Sequence, residues 1–251
     1  MRDLILMQLV GMHPVLVHGG GPEINQLLKK LDIPSRFVNG QRVTSPAVME
    51  VVEMALAGKL NPQIVRDINL SGGRAIGLCG SDACLLKAQK LPPVAVTEEG
   101  REVLCDLGLA GRVKEVNTGL LQLLIKEGYL PVIAPIGMGE DGQVYNVNAD
   151  YAAAAVAAAL KAEKFILLTD VAGVYRDYED KSTLIGHLTS AEAEALIAEK
   201  RIDGGMIPKI ECCIRAVREG AGSAHIIDGR QPHSIILEVL TEQGIGTMFE
   251  K

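Results

Sequence analysis

Tryptophan is absent from this sequence, phenylalanine occurs three times and tyrosine five, and aromatic residues make up only 3% of the chain. Stacking platforms for unpaired bases cannot be assembled from so few rings. Basic charge is short as well: 25 Lys and Arg stand against 31 Asp and Glu, giving a formal net charge of −6 and a pI near 5.5. No positive field is available to condense on a phosphate backbone, so nucleic acid is not an expected partner.

Long apolar runs are missing too. YAAAAVAAAL at 151–160 is bounded by Asp150 and Lys161 and falls well short of the roughly 20 residues that a membrane-spanning helix needs. Neither a membrane segment nor a signal peptide is expected, and the chain is placed in the cytoplasm. The five cysteines, Cys79, Cys84, Cys105, Cys212 and Cys213, are odd in number and lack the C-x-x-C spacing or neighbouring histidines of a zinc site. They read as reduced, small apolar residues of a cytosolic protein. His13, His18, His187, His225 and His233 show no H-E-x-x-H pattern, and no G-x-S-x-G elbow occurs. Metalloenzyme and serine-hydrolase chemistry therefore have no seat.

What the chain does have is an aliphatic core and glycine: 48% of its 251 residues are hydrophobic and 27 are glycine. Strand-like runs at 14–19, 74–80, 129–137, 164–170 and 223–229 alternate with helical stretches at 22–31, 45–58, 61–72, 117–128, 149–162, 190–200, 206–220 and 232–244. An apolar helix is already running at Met1. That alternation is the signature of βαβ units, an α/β fold with a mainly parallel sheet. Residues 93–116 alternate around Gly100 and Gly111 and predict a small antiparallel hairpin beside the sheet. Ser45-Pro46 and Asn61-Pro62 place a capping side chain before a proline at the first helical position, and Gly128, Gly220 and Gly244 stand where helices should end. The size suits one domain with two lobes, 1–160 and 161–251, whose seam separates two clusters of strand-end glycines.

Four segments offer ligand chemistry. PVLVHGGGPEINQLL is strand, glycine turn and helix, where bare N–H groups and the helix N-terminus suit an anion; it is neither a Walker A loop nor G-x-G-x-x-G, and tight packing alone also explains such glycines. NGQRVT (39–44) carries Arg42, whose planar fork suits a carboxylate, though a solvated surface arginine is the plainer reading. YNVNAD (145–150) sets Asn146, Asn148 and Asp150 on alternate positions before a helix, as caps or as ligand-facing groups. DGGMIPKIECC (203–213) repeats the first pattern with Lys209 early in its helix, where an anion would offset the macrodipole.

HGGGPEIN, NGQRVT, YNVNAD, LLTDVAGV and GGMIPK, in this order and over essentially the whole chain, resemble the acetylglutamate kinases of the amino-acid-kinase family. VEMALAGKLNPQIV, GGMIPKIECCIRA and AHIIDGRQPH look most like the cyanobacterial and plastid branch. The resemblance implies a three-layer αβα sandwich of the carbamate-kinase-like type, with acetylglutamate and phosphoryl sites in 1–160 and the nucleotide site in 161–251. It also implies a reaction: transfer of the ATP γ-phosphoryl group to the side-chain carboxylate of N-acetyl-L-glutamate for arginine synthesis. A carboxylate needs no base, so alignment and charge spreading carry the catalysis.

By position, Gly19, Gly20 and Gly21 resemble the turn that holds the transferring phosphoryl group. Gly40, Arg42 and Asn146 resemble the acetylglutamate site, with Arg42 on the α-carboxylate. Asp150 resembles the carboxylate that positions catalytic lysines, and Lys209 the lysine on the nucleotide phosphates. Asp170, Gly173, Gly205 and Met206 fall in nucleotide-wrapping segments, with Mg2+ riding on ATP and no protein metal cage expected. Glu238 and Gly244 are candidate contacts for an arginine effector. A homo-oligomer is expected, a dimer, or a hexamer where an N-terminal helix is present, with the signalling protein PII as a further partner.

In the family, a first strand ending in K-x-G-G precedes a helix that reads like MRDLILMQLVG. The sequence is therefore expected to be N-terminally truncated, without that strand and its catalytic lysine, leaving open sheet edges. An internal start, an inactive relative, or a substituting lysine would each account for it. Other readings are a family kinase acting on carbamate, aspartate or UMP, and a catalytically dead ligand-binding subunit that binds without releasing ADP.

Overall fold

The computed structural model describes residues 1–98, 101–177, 179–202, 204–241 and 244–251. The chain begins α1 (Arg2–Leu9), β1 (Leu16–Val17), α2 (Gly21–Lys30), β2 (Phe37–Val38), β3 (Gln41–Arg42) and α3 (Pro46–Glu53). A π-helical segment, Met54–Leu60, leads straight into α4 (Asn61–Leu70). Then come β4 (Ala75–Cys79), β5 (Leu86–Lys90), β6 (Val94–Glu98), β7 (Arg101–Cys105), β8 (Ala110–Val116), α5 (Gly119–Lys126), β9 (Leu130–Ala134), β10 (Ile136–Met138), β11 (Val144–Val147) and α6 (Ala149–Leu160). The remainder is β12 (Lys164–Thr169), β13 (His187–Thr189), α7 (Ser190–Ala198), α8 (Ile207–Glu219), β14 (Ser223–Asp228), α9 (Ser234–Leu240) and β15 (Thr247–Glu250).

Two compact units result, Met1–Ala152 and Ala153–Lys251, and the division falls inside α6. In the first, β1, β9 and β4 form a parallel sheet in that order, while β10, β11, β8 and β5 close on themselves as a small barrel. β9 is buried at every position, as a strand covered on both faces must be. Ile24 and Leu28 of α2, Val48, Met49, Val51 and Val52 of α3, and Ala55, Leu56, Ala134 and Ile136 make up one core cluster. In the second unit the order is β12-β14-β15-β13, with β12/β14 and β13/β15 parallel and β14/β15 antiparallel. α8 covers that sheet with Ile210, Cys212, Cys213, Ile214, Ala216 and Val217. The cysteines are free, and Cys212 and Cys213 are buried. Among the described residues no helix is long and apolar enough to cross a membrane.

The α/β class and its parallel pairing are as the alternation predicts, although the parallel pairs are spread over a sheet in each unit and the small barrel of the first. Four local expectations need correction. The run 129–137 is two strands, β9 and β10, because Pro135 has no N–H to continue a ladder. Only β6 and β7 form the predicted hairpin, around Gly100, which lies outside the described residues; β8 pairs instead with β5 and β11. Gly244 does not end a helix, since α9 stops at Leu240. Asn61 caps nothing: Leu60 and Asn61 are themselves helical, and the Asn61 side chain is buried in the sheet interior.

Candidate functional site

In the first unit β1 delivers His18 to the glycine turn, and α2 starts at Gly21. The N–H groups of Gly19, Gly20 and Gly21 donate to no protein acceptor among the described residues, which leaves them for an anion at the helix N-terminus. Gly20 must be glycine for packing. A Cβ there would lie 2.5 Å from Leu56 Cδ2 and 2.9 Å from Leu60 Cδ2, both on the π-helical segment. His18 is buried beneath the turn, and that burial pushes its imidazole below the ordinary value, partly offset by a bond to the Gly19 carbonyl and by the charge of Glu23.

Arg42 is placed by a hairpin that Asn39-Gly40 closes. Both turn residues have positive φ, 48° and 75°, as a two-residue type I′ connection requires. The turn brings Arg42 opposite Phe37, and the guanidinium lies 4.5 Å over that ring. It donates to Ser35 Oγ and to Asn25 Oδ1 (2.7 Å). Arg42 is only 7% exposed, and among the described residues no carboxylate pairs with it. Burial lowers its pKa accordingly. Its neighbours Asn25, Ser35 and Phe37 line an open cleft of about 350 Å3 together with Leu28, Lys29 and Ile33.

Thr44, fully buried and unmarked by the sequence reading, connects Arg42 to Asn146. Its hydroxyl donates to the Arg42 carbonyl at 3.0 Å, so its oxygen accepts from Asn146 Nδ2 at 3.2 Å. That order fixes the Asn146 amide, with Nδ2 toward Thr44 and Oδ1 turned away. Asn148, not Asp150, caps α6: its Oδ1 accepts from the N–H groups of Asp150 (2.9 Å) and Tyr151 (3.3 Å). Asp150 is half-buried in the first turn of α6.

The second unit holds the remaining candidates. Asp170 is exposed just beyond β12 and accepts from Thr169 Oγ1 at 3.2 Å. Gly173 is buried against Thr247, whose hydroxyl oxygen accepts from Val174 N at 2.8 Å. Gly205 and Met206 precede α8, and half-buried Lys209 is the third residue of that helix; Asp203 lies outside the described residues.

Glu238 is 6% exposed and fully occupied. Its carboxylate accepts from His225 Nδ1 (2.6 Å), Ile245 N (2.6 Å) and Gly246 N (3.2 Å). Burial pushes this carboxyl up, but His225 and the two amides outweigh it and hold it below the ordinary 4.5. A carboxyl lowered on folding stabilises above the unfolded pKa, and that stabilisation is lost as pH falls through the lower folded value. Glu238→Gln should cost about 3 kcal/mol near neutral pH and flatten the acid limb of the melting-temperature profile below 4.5. An acid limb equally steep in the variant would remove this pair as its cause.

A strand-end glycine turn that leaves N–H groups at a helix N-terminus, on an α/β scaffold, is the kind of anion site that phosphoryl transfer uses. The amino acid kinase family profile matches residues 1–228, and the chain belongs to that family. The acetylglutamate kinase of Heliobacterium modesticaldum is 54% identical over 249 residues, covering 99% of this chain and 84% of that protein. The N-acetylglutamate synthase from Neisseria gonorrhoeae, solved with coenzyme A and N-acetyl-glutamate, is 24% identical with a TM-score of 0.82, covering 99% of this chain and 54% of that one. Giardia carbamate kinase shares the fold at TM-score 0.66 and 15% identity, over 100% of this chain and 88% of its own.

Proposed function

We propose that this chain transfers the γ-phosphoryl group of ATP to the side-chain carboxylate of N-acetyl-L-glutamate, giving N-acetyl-L-glutamyl 5-phosphate for arginine biosynthesis. The observation that carries the substrate is Arg42, a buried guanidinium with no carboxylate partner among the described residues. A substrate α-carboxylate would pair with the N–H groups left over from Ser35 and Asn25. Gly40 shapes the turn that aims it, and Asn146 Oδ1, facing away from Thr44, accepts from the acetamido N–H.

The nucleophile arrives ionised, so no residue need remove a proton. Gly19, Gly20 and Gly21 direct N–H groups at the phosphoryl oxygens, Lys209 neutralises charge on the nucleotide phosphates, and Asp150 takes the positioning role that the family resemblance gives it. Asp170, Gly173, Gly205 and Met206 shape the nucleotide end. Donors of this kind would meet phosphate oxygens rather than a metal, which fits Mg2+ carried on ATP, where it would supply charge screening for the phosphates. Residues 1–160 would then be the acetylglutamate and phosphoryl lobe, and 161–251 the nucleotide lobe, of one cytoplasmic kinase domain. An arginine effector at Glu238 and Gly244 must compete with His225; a rate unchanged by millimolar arginine removes it. A homo-oligomer is the assembly proposed from the family resemblance, capture of PII is proposed only from the resemblance of segments such as AHIIDGRQPH to the cyanobacterial and plastid branch, and gel filtration with and without PII tests both.

The primary assay is acetylglutamate-dependent acyl phosphate formation, trapped as the hydroxamate. It should be run on this chain and on one extended upstream through the K-x-G-G strand that the resemblance implies. Failure of both folded forms, with ligand still bound, would favour a binding subunit. Thr44→Val should raise the KM for N-acetyl-L-glutamate about fivefold, one neutral hydrogen bond's worth, with kcat little changed. An unaltered KM would show that Thr44 does not orient Asn146 for the substrate.

A further inference from the structure

Beneath the glycine turn lies a buried polar network that the proposed chemistry does not use. Asn61 Nδ2 is 2.8 Å from Val132 O, 3.1 Å from His18 Nε2 and 3.5 Å from Leu78 O. Two of those neighbours are carbonyls, which only accept, so the amide cannot be flipped without setting oxygen against oxygen. Asn61 Nδ2 therefore donates, and His18 Nε2 must be the bare, accepting nitrogen. The ring proton then sits on Nδ1, which donates to the carbonyl of Gly19 at 2.9 Å. Gly77 of β4 makes room for this arrangement, since a Cβ there would run into Asn61 Oδ1.

The tautomer has a consequence at the turn. Gly19 O and Gly20 N–H belong to one peptide unit, no peptide among the described residues is cis, and in a trans peptide the two groups point in opposite directions. With its carbonyl held against the buried imidazole, the unit directs Gly20 N–H away from the core. We propose that His18 is a positioning residue, fixed as the Nδ1–H tautomer by Asn61, which orients the Gly19–Gly20 peptide so that Gly20 N–H faces the transferring phosphoryl oxygens. This inference rests on the phosphotransferase reading above. Burial of the ring keeps it neutral, which is the form the network requires.

A pair of near-isosteres separates positioning from packing. In His18→Asn the side-chain NH2 sits two bonds from Cβ, where Nδ1 sits, and can still donate to Gly19 O; in His18→Gln it sits where Nε2 sits and cannot. His18→Gln should lower kcat about thirtyfold, a partial loss of one oriented amide donor, with the KM for N-acetyl-L-glutamate unchanged. His18→Asn should retain most of kcat, although it is the variant that loses the contact to Asn61, which the longer Gln side chain can still reach. Equal losses in the two variants overturn the proposal.

A second readout is independent of the substrate assignment. In the 15N-labelled wild-type protein at neutral pH, His18 should show a protonated Nδ1 and a bare Nε2, and titration with inorganic phosphate should shift the Gly20 amide. His18→Gln should suppress that shift and His18→Asn preserve it. The opposite tautomer, an imidazolium, or a Gly20 amide indifferent to phosphate overturns the proposal. A wild-type protein that gives these signals but no acyl phosphate leaves His18 standing and fails the kinase reading instead.

Discussion

Arg42→Ala should raise the KM for N-acetyl-L-glutamate about a hundredfold while lowering kcat less than about threefold. The guanidinium is desolvated, rests on Phe37 and spends N–H groups on two neutral acceptors, Ser35 and Asn25, with no carboxylate to balance it. Hydrogen bonds between charged groups contribute about 1.5–3 kcal/mol each, so the loss of one bidentate pair readily accounts for a hundredfold. The α-carboxylate is remote from the reacting one, so its binding is felt alike in ground and transition states. Arg42→Lys should recover only part of the affinity, because a single ammonium cannot reproduce a planar fork already divided between substrate and scaffold. Steady-state kinetics with N-acetyl-L-glutamate varied at saturating ATP decides the matter. A fall in kcat at constant KM would move Arg42 out of the substrate site.

The parts of the fold that were legible in the sequence are those governed by period and punctuation. The helix from Ser45 is signalled by Ser-Pro, and Ser45 Oγ does accept from Val48 N at 3.3 Å. Gly220, at φ 143°, ends α8 as its position predicts. The Asn39-Gly40 hairpin carried a local signal that reading NGQRVT as a plain loop passed over. Long-range choices were hidden. Asn61-Pro62 has the local form of a cap, but a helix already running through Leu60 satisfies the backbone, so the side chain is free to reach β9, 71 residues on at Val132. No local rule announces that.

The candidate site divides in the same way. Glycines, Arg42 and Asn146 were visible because their chemistry is unusual in a loop. Thr44 and His18 were not singled out because a threonine at a strand end and a histidine beside a glycine turn are ordinary; only the direction of their hydrogen bonds makes them informative. In the roles proposed, each removes a rotational choice, Thr44 from the Asn146 amide and His18 from the Gly19–Gly20 peptide. The π-helical segment is a third such device, since Leu56 and Leu60 press on the turn from the side where Gly20 has no Cβ.

Lys209→Ala should cut kcat about a thousandfold, the scale of removing a preorganised charge from a developing phosphoryl transition state, while the KM for N-acetyl-L-glutamate stays within about threefold. Lys209 is the third residue of α8, half-buried at the end of the helix where the macrodipole disfavours a cation. Removing a cation from that end relieves a local cost of about 0.3–1 kcal/mol, so the melting temperature of the ligand-free variant should change little even as turnover collapses. On the proposed role the lysine meets the phosphates in the ground state as well, so ATP should bind more weakly, and Lys209→Arg should restore part of that binding without full turnover. The Lys209 and Arg42 variants are best measured together. Loss of turnover at Lys209 with loss of substrate affinity at Arg42 supports the two roles; the reverse pairing would exchange them and overturn the division of labour between the glycine turn, the arginine hairpin and the N-terminus of α8.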